Sequence, residues 1–227
     1  MSTLAVDVVP DIVGDTSRAN QVIENLRSFN SKERFFLIGH ALGNPDFTPS
    51  ETFRKEIENC LNLKLPSQLF TAMDYHLDWL YASLYLAFYD GGDKIYSNCD
   101  RIIKGQQEDI DFIIAFVQDT LCHIILVEAK GVMGWSNKQM DSKAERLRGI
   151  FGQDSTRWPD VKPHFVILSP TPPSERLHIS RWPAWMSTDG QVPWIPLGVP
   201  HNLIKVTRCN KDGWADKAGA YWKTELR

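Results

Sequence analysis

DIDFIIAFVQDTLCHIILVEAKG, residues 109–131, is the segment on which the architecture turns. Two apolar runs of strand length flank Gln118-Asp119-Thr120, and polar turn residues between two such runs read as a β-hairpin. A turn centred between Asp119 and Thr120 sets Asp111 opposite Glu128 and Asp109 opposite Lys130. Side chains alternate along a strand, so Asp109 shares a face with Asp111, and Glu128 with Lys130. Directly opposed side chains have Cβ atoms about 4.5–5.5 Å apart. The expectation is a compact cluster of three carboxylates and one ammonium at one end of the hairpin. A slip of one residue would disperse it.

Outward from the hairpin, the periodicity changes twice. Residues 136–151 carry Met140, Ala144, Leu147 and Ile150 at helical spacing, and the apolar run from His164 to Leu168 reads as a further strand. Upstream, residues 94–103 read as a strand, and 67–89 as one long helix with Leu69, Met73, Leu77, Leu80 and Leu84 inward, closed by Gly91-Gly92. The first third reads as helices: Val22, Ile23, Leu26 and Phe29 follow Thr16-Ser17, and Leu37, Ile38, Ala41 and Leu42 follow Ser31. A third helix, with the stripe Phe53, Ile57, Cys60 and Leu61, starts at Thr48-Pro-Ser-Glu51, where Thr48 suits an N-cap and Glu51 a capping box. Residues 170–200, rich in Trp and Pro, read as an ordered loop, and Leu203 to Arg208 as a last strand. Together these predict an α/β domain with a mixed sheet. Residues 1–66 form a helical region packed on a core at 67–211, and 212–227 form a C-terminal tail.

Composition narrows the function classes. The 227 residues are 43% hydrophobic and 23% charged with net charge −3, ordinary for a soluble domain long enough to bury a core. The charge is uneven: residues 1–100 carry 14 acids and 8 bases, whereas 130–211 carry 12 bases and 6 acids, a half that a polyanion would favour. Cys60, Cys99, Cys122 and Cys209 have no CxxC spacing, which points away from zinc and disulfides and towards a reducing cytoplasm. The start, MSTLAVDVVPD, lacks the basic and apolar blocks of a signal peptide, and no run approaches the roughly 20 apolar residues of a membrane span. GxxxxGK[ST], GxSxG and HExxH are all missing, which disfavours P-loop, serine-hydrolase and zinc-peptidase chemistry.

The acidic cluster has a chemical use. Two close carboxylates repel each other unless a cation sits between them. Mg²⁺ takes oxygen ligands, commonly one or two carboxylates with waters and a substrate phosphate. A lysine beside them suits orienting the attacking water and offsetting charge at a phosphorus centre. An Asp near the start of one strand, followed after a turn by Glu-x-Lys ending an apolar strand, resembles the PD-(D/E)xK nuclease superfamily with its restriction-endonuclease-like fold. Asp111 and Glu128-Ala129-Lys130 carry the resemblance, although Ile110 stands where the motif has proline. The resemblance implies a helix, a three-strand meander, a helix and a further strand. It also implies Mg²⁺ or Mn²⁺ on Asp111 and Glu128, with the Ala129 carbonyl as an extra ligand and Lys130 acting on the water. Some members add an acid from the helix before the sheet, for which Asp78 and Asp74 are candidates, or a Gln from the helix after the motif, for which Gln139 is the candidate. Pro159-Asp160-Val-Lys162 and Asp141-Ser-Lys143 match the lettering in the wrong context, a strand start and a helix.

Each of these residues also has a plainer reading. Glu128 and Lys130 suit an exposed strand end, Asp109 a turn or edge, Asp74 and Asp78 a solvated helix flank. Lys138, Lys143, Arg146 and Arg148 are candidates for phosphate contact, or a soluble helix face; Trp135 is a candidate for base stacking. The expected function is therefore a metal-dependent endonuclease-like hydrolase acting on nucleic acid, DNA ahead of RNA, with a homodimer or a protein partner as further possibilities. The alternatives are an inactive nuclease-fold module that binds nucleic acid or a protein, and an α/β protein with no nucleic-acid role.

Overall fold

A computed structural model of the chain describes residues 16–89, 95–105, 108–132, 134–173 and 177–227. Gly91-Gly92, read as the end of the helical region, and the N-terminal stretch 1–15 lie outside the described residues. In chain order the elements are α1 (Ser17–Phe29), α2 (Glu33–Ala41), α3 (Glu51–Leu61), β1 (Phe70–His76), α4 (Leu77–Phe88), β2 (Asp109–Gln118), β3 (Leu121–Ala129), α5 (Asn137–Phe151), β4 (Val161–Ser169), β5 (Trp194–Pro196), β6 (Ile204–Cys209) and β7 (Tyr221–Leu226).

The protein is mixed α/β. Five strands form one sheet in the order β1-β2-β3-β4-β5. β1, β2 and β3 are antiparallel, while β3, β4 and β5 run parallel. Parallel neighbours need a crossover; α5 supplies it between β3 and β4, and the Trp- and Pro-rich excursion supplies it between β4 and β5. That excursion holds two short 3₁₀ turns before it delivers β5, a strand the loop reading did not anticipate.

Both sheet faces are covered. On one, α1, α4 and α5 bring Val22, Leu26, Leu80, Leu84, Met140 and Leu147 against Ile113, Ala115, Ile124, Leu126 and Phe165. On the other, α3 sets Ile57 against Ile114, Phe116, Ile125, Val127 and Val166. The unbroken buried run Ile124–Glu128 of β3 sends Ile124 and Leu126 into one apolar layer and Ile125 and Val127 into the other, as a central strand covered on both faces requires.

Four expectations need correction. Residues 67–89 are not one helix: Phe70–His76 is edge strand β1, and α4 begins at Leu77. No Gly, Pro or Asn separates the two elements, so the leucine spacing runs on across the junction. Residues 95–103 are not a strand, because the Asn98 side chain takes both backbone hydrogen bonds of Ile103 and so replaces a ladder. The Thr48 cap belongs to Ser50, whose hydroxyl accepts from the Phe53 N–H. In α2 the buried residues are Phe35 and Gly39, while Leu37 and Leu42 are exposed. The last strand does form, at Ile204–Cys209, but in a separate two-stranded sheet; residues 212–227 include β7, its partner.

At the end of the sheet away from the acidic cluster, β3 and β4 stack His123 on His164, with ring nitrogens 3.1 Å apart and Phe116 stacked on His123. Burial, with the neighbouring His123 and Lys162, pushes His164 down to about 3. The unfolded chain then binds more protons than the folded one between pH 6.5 and about 3, so stability falls as pH drops through that window. We expect urea titrations to show His164→Phe losing up to about 4 kcal/mol less than wild type over that descent; parallel losses in both proteins would reject this origin.

Candidate functional site

The β2–β3 turn has Asp119 and Thr120 both at positive φ (49° and 69°), the geometry of a two-residue hairpin turn that matches strand twist. It sets the anticipated register: Gln118 pairs with Leu121, Phe116 with His123, and Phe112 with Val127. The ladder stops there, one pair short of Asp111 and Glu128. At that point the Ala129 N–H, 2.7 Å from Asp111 Oδ2, donates to the carboxylate. Asp111 thus holds the open end of the hairpin through its side chain.

Glu128 is 2% exposed, an unusual place for a carboxylate. Its Oε2 accepts from the ammonium of Lys143, 2.5 Å away, and the same ammonium donates to the Asp109 carbonyl at 2.6 Å. Burial pushes the Glu128 carboxyl up; Lys143 and Lys130 pull it down, Asp111 pushes it up, and the balance lies above the usual range. Asp111, Lys130 and Lys143 are therefore all electrostatic neighbours of Glu128. Lys130, just past the end of β3, donates its backbone N–H to the Leu168 carbonyl and holds its ammonium 5.9 Å above the Trp135 ring.

Asp109 has partners of its own. Lys32, the residue before α2, lies 2.9 Å from Oδ2, and Nδ1 of His76, its cross-strand neighbour on β1, lies 3.1 Å from Oδ1. Asp109 binds the helical first third to the sheet, and it does not lie opposite Lys130 in the ladder, since β3 ends at Ala129. Asp74 sits on β1 rather than a helix, at φ 49°, paired with Arg34. Asp78 opens α4 and accepts from Arg146 and from the N–H groups of Lys104 and Gly105. Burial opposes its ionisation, but these hydrogen bonds prevail and hold it below the usual carboxylate range.

Two candidates for phosphate contact are instead internal. Lys143 and Arg146 are buried, the second against Asp78, Glu108 and the Ile102 carbonyl. Their burial had a signal: both flank the inward stripe of Met140, Ala144, Leu147 and Ile150 on α5. Lys138 and Gln139 are exposed in the first turns of α5, with Gln139 one turn before Lys143. Arg148 pairs with Glu145 and the Arg181 carbonyl. The Trp135 N–H donates to Ser169, which also receives Trp194. In the misleading Pro159-Asp160 pair, Asp160 meets Arg18 at the start of β4.

Among the described residues no three His, Cys, Asp or Glu side chains gather as a metal cluster. Asp111 and Glu128 alone still match a hard divalent ion in ligand type and number, because Mg²⁺ commonly takes one or two carboxylates and fills its shell with water and phosphate. Lys143 is the resident competitor for Glu128. No helix among the described residues is long and apolar enough to cross a membrane, and the four cysteines are free. The chain matches no protein-family model, no curated protein and no solved structure.

Proposed function

We propose that this chain is a divalent-metal-dependent nuclease of the PD-(D/E)xK type with a restriction-endonuclease-like core, acting on DNA in preference to RNA in a reducing compartment such as the cytoplasm. The observation that carries the reading is the open end of the β2–β3 hairpin, where the Ala129 N–H secures Asp111 and where Asp111 and Lys130 both act electrostatically on Glu128. The element order supports it: an antiparallel β1-β2-β3, the crossover helix α5 and a parallel β4 follow the order that the resemblance implies. One departure is α4, which lies between the first two strands of the meander.

In this reading Asp111 and Glu128 would hold Mg²⁺ or Mn²⁺, with the Ala129 carbonyl as a further ligand. An ion held there would supply Lewis-acid polarisation of a phosphate and of a water. Lys130, kept near Glu128 by the backbone anchor to Leu168, would orient an attacking water and offset charge at phosphorus. Lys143 keeps Glu128 neutralised between turnovers, so the buried acid is never without a counter-charge.

A second reading draws on one observation, the Glu128–Lys143 ion pair. A carboxylate this buried and already satisfied also suits an inactive module in which the cluster is structural, and the protein docks nucleic acid or a protein partner. Cleavage of linear, single-stranded and branched DNA with Mg²⁺ separates the two. We expect wild type to cut, Asp111→Asn and Glu128→Gln to lose activity by roughly 10³-fold, and Lys130→Ala by about 10²-fold or more. Undiminished cutting in all three would place the chemistry elsewhere. Salt-sensitive binding without cleavage would favour the module, and neither would remove nucleic acid from the function.

A further inference from the structure

We propose that the β6–β7 hairpin is a self-association surface, whose apolar face docks on the same face of a second copy of this chain. The two strands alternate cleanly. Lys205, Thr207, Lys223 and Glu225 share one face, where Lys205 and Lys223 both pair with Glu225. The opposite face carries Ile204, Val206, Trp222 and Leu226, which are 64%, 70%, 69% and 72% exposed. None of these four belongs to either apolar core. A two-stranded hairpin is marginal in water by itself, and a contiguous apolar patch of this kind marks a contact surface.

A second copy is the occupant that the geometry favours. The face is ordered as three cross-strand pairs: Ile204 with Leu226, Val206 with Thr224, and Arg208 with Trp222. A two-fold axis lying between two such faces, across the strands at Val206, sets Trp222 of one copy on Leu226 of the other. It also sets Val206 on Val206 and the Arg208 stem on Ile204. The two Arg208 groups then fall at opposite ends, so like charges do not meet. No acid lies on this face to pair with a basic partner. Four side chains this exposed, with the stems of Arg208 and Thr224, offer roughly 500–600 Å² per copy, or about 1,000–1,200 Å² in total, the lower edge of a specific interface. The contact is expected to be reversible, with its two-fold symmetry independent of any catalytic role.

The test is the mass of the full chain by light scattering and sedimentation at concentrations up to about 100 μM. We expect a concentration-dependent dimer that Val206→Lys and Trp222→Lys each weaken at least tenfold, while Thr207→Lys on the opposite face leaves it intact. Unfolding of the main body should be the same in all four proteins, which separates a lost contact from a lost fold. A monomeric wild type, a dimer that survives both face variants, or a dimer broken equally by Thr207→Lys would overturn the proposal. So would a wild type that stays monomeric and whose oligonucleotide binding is lost in Trp222→Lys, which would assign the face to nucleic acid.

Discussion

Lys143→Ala is expected to destabilise the fold by about 3–5 kcal/mol, because it strands a carboxylate in the interior rather than deleting a surface charge. Glu128 and Lys143 side chains are 2% and 7% exposed and meet at 2.5 Å. The ammonium also satisfies the Asp109 carbonyl, so its removal leaves two acceptors wanting. The double variant Glu128→Gln with Lys143→Met should recover most of the loss, since neither residue then brings a charge into the core. Urea denaturation of wild type, Lys143→Ala and the double variant measures this directly. A loss below about 1 kcal/mol for Lys143→Ala would mean that solvent reaches Glu128 and that the pair is a surface one.

The second large effect is expected at Trp158. Its ring is 2% exposed and belongs to the main core, against Phe88 (centroids 5.2 Å) and Tyr81 (6.1 Å), with the Arg157 guanidinium 5.4 Å from its centre. Its N–H donates at 2.7 Å to the Ile150 carbonyl in the last turn of α5, where helix carbonyls lack partners from the helix itself. Trp158→Ala removes the ring and the cap together, and should cost about 3–5 kcal/mol, or roughly 10 °C in Tm for a chain of this size. Trp158→Phe keeps most of the ring and forfeits the N–H, for about 1–2 kcal/mol. Equal losses in the two variants would show that the ring's bulk contributes little and the cap dominates.

The central hairpin was legible because its turn and its two apolar runs specify one register, and that register placed Asp111 and Glu128 at the same end. Where the ladder stops was not legible: a side chain, Asp111, takes the Ala129 N–H that strand pairing would otherwise use. β1 was hidden because it passes into α4 without a breaking residue, so a helical spacing of leucines spans both. In α2 the inward face is set by Phe35 and by Gly39, where a Cβ would lie 3.2 Å from the Asn44 carbonyl; close packing there outweighs the count of leucines. Lys143 and Arg146 misled by charge. Their place beside the inward stripe of α5 carried the better signal, and the acids that receive them lie on other elements: Glu128 on β3, Asp78 on α4 and Glu108 just before β2.

The way α1 meets the sheet bears on how the chain can be divided. Tyr75 on β1 donates its hydroxyl to the Leu26 carbonyl at 2.9 Å, Asn25 donates to the Ser83 carbonyl on α4, and Val22 and Leu26 lie fully inside the core. Lys32 then reaches Asp109 beside the acidic cluster. A cut near residue 66 would therefore pass through a packed interior rather than between modules. For grafting, circular permutation or recombination, the indivisible unit runs from α1 to β5. The apolar face of the β6–β7 hairpin lies outside that unit's two cores.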